Sequence, residues 1–92
     1  MSSLDFQHHR IATETDTLNM LAMAQQKVAY VRMWVQYKHP AHGVMTELDR
    51  ALTAIHRAEA LTDRRLRRAQ RKAVRLTEAA KADAAQSCRS LS

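Results

Sequence analysis

The chain has 92 residues, a net charge of +6, 26% charged and 46% hydrophobic residues, and one each of Gly, Pro and Cys. That length allows one small domain, and the lone Cys88 excludes an internal disulfide, as fits a reducing compartment. Strong helix formers dominate and no run alternates like a strand, so the expected fold is all-α: a helical hairpin or small helical bundle over residues 1–92.

The N-terminal "MSSLDFQHHR" carries Asp5 and has no apolar core after its charges, so it does not read as a signal peptide. Residues 1–14 are either a short helix that places Leu4, Phe6 and Ile11 on the core or a flexible arm. A helix is expected over 15–38, with Thr15 and Asp16 as caps. Leu21, Ala24, Val28, Val31 and Val35 form one stripe along it. Met20, Met23, Tyr30, Trp34 and Tyr37 form a second, interrupted by Lys27. Together they make an apolar face wider than one helical partner covers, serving either core packing or contact with another molecule.

"KHPAHG", residues 38–43, is the only strong punctuation and reads as a loop, because Pro40 disfavours helix at His39 and Gly43 adopts conformations other residues resist. Residues 44–86 form one long helix or two. The positions Leu48, Leu52, Ile55, Glu59, Thr62, Leu66, Ala69, Ala73, Leu76 and Ala80 keep one phase, while polar Glu59 and Thr62 allow a break with Thr62 capping a third helix. Unbroken, this arm is about 65 Å long against roughly 35 Å for the first. Such a mismatch calls for a break near Thr62 or a partner chain. A homodimer burying Val28, Val31 and Val35, or the row Tyr30, Trp34 and Tyr37, is therefore expected. Residues 87–92 read as a disordered tail.

Charge is concentrated late. Residues 1–46 hold four basic and three acidic side chains, and residues 47–92 hold eleven and six. In "RRLRRAQRKAVR", residues 64–75, seven of twelve residues are basic and none is acidic. At about 100° per residue, Arg50, Arg57, Arg64, Arg68, Arg71 and Arg75 align opposite the apolar positions. Arg65 and Lys72 flank them, Arg67 completes the cluster, and Arg10 and Lys38 stand apart on the other segment. An ordinary wet helix face mixes signs, because opposite charges at i,i+4 attract and like charges repel. Arg also forks onto phosphates and carboxylates as Lys cannot. The candidate binding residues are thus Arg57, Arg64, Arg65, Arg67, Arg68, Arg71, Lys72 and Arg75, with a plain solvated face as the competing reading.

Other chemistry finds little footing. His8, His9, His39 and His42 lack the ligand set of a zinc site, and Cys88 has no placed base. There is no Gly-rich phosphate loop or paired-carboxylate pattern, so no enzyme, cofactor, metal or small-molecule substrate is expected. The most apolar run, "VAYVRMWVQY", is ten residues with Arg32 inside, short of the roughly 20 a bilayer requires, which points to the cytoplasm. The expected function is a non-catalytic binding protein whose Arg-rich helix engages nucleic acid, a nucleoprotein or an acidic protein surface. The alternative is an adaptor or inhibitor, such as a phage- or mobile-element-encoded protein acting on host machinery, that docks through Met20, Met23, Tyr30, Trp34 and Tyr37.

Overall fold

The computed structural model describes residues 3–91, with side chains through residue 86. It is a two-helix hairpin, α1 Ser3–Lys38 and α2 His42–Leu91, with no strand among the described residues. The rod measures 78 × 19 × 14 Å.

The turn is shorter than the punctuation implies, since only residues 39–41 lie outside helix. Pro40 lacks the N–H that would continue α1. His39 N still donates to the Val35 carbonyl at 3.0 Å, and Met45 N donates to the Ala41 carbonyl at 2.9 Å, opening α2. Gly43 belongs to the first turn of α2 and has no positive φ, so its conformational freedom goes unused. A Cβ there would meet nothing within 4 Å. Gly43→Ala should therefore stabilise the hairpin by about 0.5–1 kcal/mol, seen as a higher urea midpoint at unchanged slope.

Both helices run further than their internal threonines suggest. Thr15 is no cap: its hydroxyl donates to the Ile11 carbonyl at 2.8 Å from inside α1. Thr13 and Thr17 bond back to His9 and Thr13 in the same way. Thr62 does not break α2 either. It is buried on the seam, and its hydroxyl donates to the Ala58 carbonyl at 2.8 Å, so the helix carries a polar residue inward with its donor satisfied. The backbone of α2 stays helical past Gln86 to Leu91. The side chains of residues 87–92, Cys88 among them, lie outside the described residues.

The helices are antiparallel, and two cross-links set their register. Glu14 pairs with Arg65 at 2.9 Å near one end, and Arg32 pairs with Asp49 near the other. On α2 the seam runs through Leu48, Leu52, Ile55, Glu59, Thr62, Leu66, Ala69, Ala73 and Leu76 in the steps of four and three expected from the sequence. Met45, Thr46, Ala51, Ala58, Asp63 and Thr77 are half-buried beside it, whereas Ala80, expected to continue the row, is exposed. On α1 the seam runs through Leu4, Gln7, Ile11, Glu14, Leu18, Leu21, Gln25, Val28, Arg32 and Val35, with Arg10 and Ala24 half-buried beside it. This is an a/d seam as in a coiled coil, with four polar members on α1 and two on α2. Val28 and Val35 face α2 and are not free for a dimer, whereas Val31 is exposed.

The resulting core is thin. Val35, Ala69 and Ala73 are its only buried hydrophobic residues among those described, and no large side chain is fully enclosed. The arm mismatch matters less than its length suggests. α1 has 36 residues and α2 has 50, so about 14 residues of α2, roughly 20 Å, project past Ser3. Five of those residues are alanine, Ala79, Ala80, Ala82, Ala84 and Ala85, and the only large apolar one is Leu91 at the end. The uncovered apolar surface lies instead along the outer side of α1.

Candidate nucleic-acid interface

The seam of α2 turns Ala69 and Ala73 inward, which sends Arg57, Arg64, Arg68, Arg71, Lys72 and Arg75 to solvent, and all six are exposed. From Arg57 to Arg75 the row spans about 27 Å of helix. None of the six forms an ion pair among the described residues.

Two other expected members are committed elsewhere. Arg65 crosses to α1 and forms an ion pair with Glu14, whose side chain is only 8% exposed. Arg67 pairs with Asp63 one turn back at 3.0 Å. Arg50, at the head of the row, pairs with Glu47 at 2.6 Å. Arg65 thus links the two helices, Arg67 pairs within α2, and the unpaired charge narrows to the other six.

One cation was missed. Arg10 on α1, half-buried, lines an open groove of about 820 Å3 together with Gln7, Arg68, Gln70, Arg71, Lys72 and Arg75. Sequence set it apart from the stripe because residues 1–14 had no fixed register. Once α1 starts at Ser3, the seam through Gln7 and Ile11 carries Arg10 to α2. The groove therefore holds five cations from two helices and no carboxylate. Its arginines can fork onto phosphate oxygens, and the exposed Gln70 amide can donate beside them.

Met20, Met23, Tyr30, Trp34 and Tyr37 all stand exposed on the side of α1 away from α2. Trp34 is 51% exposed and meets the ring of His39 with centroids 6.3 Å apart, so it is not a core residue of the hairpin. Among the described residues no group of three His, Cys, Asp or Glu side chains could hold a metal ion. No described helix is long and apolar enough to cross a membrane. No protein-family model, curated protein or solved structure matches the chain.

Proposed function

We propose that this chain is a non-catalytic binding protein of the cytoplasm that grips the phosphate backbone of a nucleic acid along α2. Arg57, Arg64, Arg68, Arg71, Lys72 and Arg75 supply the contacts, and Arg10 adds one from α1. The observation that carries this reading is five exposed, unpaired arginines in one row with exposed Lys72 beside it, in a molecule that pairs Arg32, Arg50, Arg65 and Arg67 with carboxylates. Stacked like charges cost stability, and a polyanion removes that cost. Neutralising phosphates releases counterions, so binding needs no base readout and falls steeply with salt.

Six or seven phosphate contacts give a log–log salt slope between about −4 and −6, measured by anisotropy with labelled single and double strands. Sequence-independent binding with that slope is expected. Absence of binding at low salt, or a flat slope, would make the row a wet surface. An acidic protein partner would also be salt-sensitive, but nuclease treatment of a cell extract would leave its capture intact. The alternative, an adaptor or inhibitor, has the exposed Met and aromatic side chains of α1 in its favour. Apolar docking there would hardly respond to salt.

A further inference from the structure

α1 carries two seams. The first, Leu4 to Val35, is spent on α2. The second, Met20, Met23, Lys27, Tyr30, Trp34 and Tyr37, has the same alternating steps of three and four, lies on the far side of the helix, and is exposed throughout. A sustained seam of this kind fits another helix. We infer that its occupant is α1 of a second copy, antiparallel, about a twofold axis passing between Lys27 and Tyr30.

Three observations select this partner and this register. The steps three, four, three, four, three read the same in both directions, as a twofold interface requires. Reversing the row about its centre sets Met20 against Tyr37 of the partner subunit, Met23 against Trp34 of the partner subunit, and Lys27 against Tyr30 of the partner subunit. Each pairing occurs twice. Two are sulfur–aromatic contacts and the third is a cation over a ring. A parallel arrangement would instead place Lys27 on Lys27, a like-charge clash, so the one charge in the row selects the antiparallel form.

Shape agrees. Met23, Gln26, Lys27 and Tyr30, with Val31, surround an open hollow of about 430 Å3. Those first four stand at i, i+3, i+4 and i+7, the four corners of the hole that receives a knob in helix packing. In this register the entering knob is Tyr30 of the partner subunit. Area agrees as well. The chain exposes 7381 Å2. A compact monomer of 10.5 kDa exposes about 5,400 Å2. The excess of about 2,000 Å2, to which the rod shape and the projecting end of α2 also contribute, leaves room for the roughly 800 Å2 that each partner gives to a standard interface. The helix order across the assembly is then α2, α1, α1, α2. Both Arg rows face outward, so dimerisation stands independently of nucleic-acid binding.

The test uses the full chain, nuclease-treated. Sedimentation should give a species of twice the 10.5 kDa of one chain at micromolar concentration. Tyr30→Glu with Trp34→Glu should weaken association by about 100-fold or more, with helical circular dichroism unchanged, because both rings are exposed in the hairpin. On a Cys88→Ser background, Met23→Cys with Trp34→Cys should form disulfide-linked dimers on mild oxidation, and Lys27→Cys alone should not. A wild-type monomer at high concentration would overturn the inference. So would a dimer that survives both Glu substitutions, or crosslinking through Lys27→Cys alone in preference to the pair. If the double Glu variant loses helicity, the cysteine pair decides the question.

Discussion

Replacing Arg64, Arg68, Arg71 and Arg75 together with Gln should weaken nucleic-acid binding roughly 1,000-fold at 0.1 M salt. The salt slope should become shallower by about 3, at about 0.7–0.9 per phosphate contact. All four side chains are exposed and unpaired among the described residues, so only charge and fork geometry are lost. Gln keeps helix propensity, and removing the i,i+4 repulsions of 64 with 68 and 71 with 75 should leave stability equal or slightly higher. The loss should be the same for every nucleic-acid sequence, because backbone contacts carry no base information. Lys38→Gln, at the far end of α1, is the control. Arg10 cannot serve as one, because it lines the same groove. An unchanged affinity in the quadruple variant would return the row to solvent and move attention to α1.

The second large effect belongs to the seam. Glu14→Lys should destabilise the hairpin by about 3–5 kcal/mol, since it leaves a buried charge facing Arg65. Against a core of Val35, Ala69 and Ala73 that is enough to unfold much of the molecule. Arg65→Glu should also destabilise, though less, because Arg65 is 59% exposed and its replacement can turn to solvent. Combining them should recover much of the loss, because the pair is restored in reverse. Denaturant midpoints of the two single variants and the double variant measure the coupling. Simple additivity would mean that Glu14 and Arg65 do not set the register.

The same residues explain what could be read from sequence. The seam of α2 was legible because seven of its nine positions from Leu48 to Leu76 are apolar and keep one phase through Glu59 and Thr62. The seam of α1 was legible only in part: Leu4, Ile11, Leu21, Val28 and Val35 lie on it as expected, but Phe6 and Val31 are exposed. Gln7, Glu14, Gln25 and Arg32 occupy it, while larger apolar side chains such as Met20, Tyr30 and Trp34 stand outside it. Periodicity follows the apolar residues, and here many of them face away from the partner helix. Glu14 and Arg32 tolerate the seam because Arg65 and Asp49 reach them, which only the paired structure reveals. The exposed, one-signed row from Arg57 to Arg75 was legible, because it depends on α2 alone. Its trimming was not: Arg65 is removed by a carboxylate on the other helix and Arg10 is added from it.

The most direct measurement of the central claim is photo-crosslinking of the chain to a labelled nucleic acid, with adducts mapped by mass spectrometry. Adducts should fall on α2 between Arg57 and Arg75 and on α1 around Gln7 and Arg10, and should fade as salt is raised. Adducts confined to residues 20–37 on the outer face of α1, or none below 0.1 M salt, would contradict it.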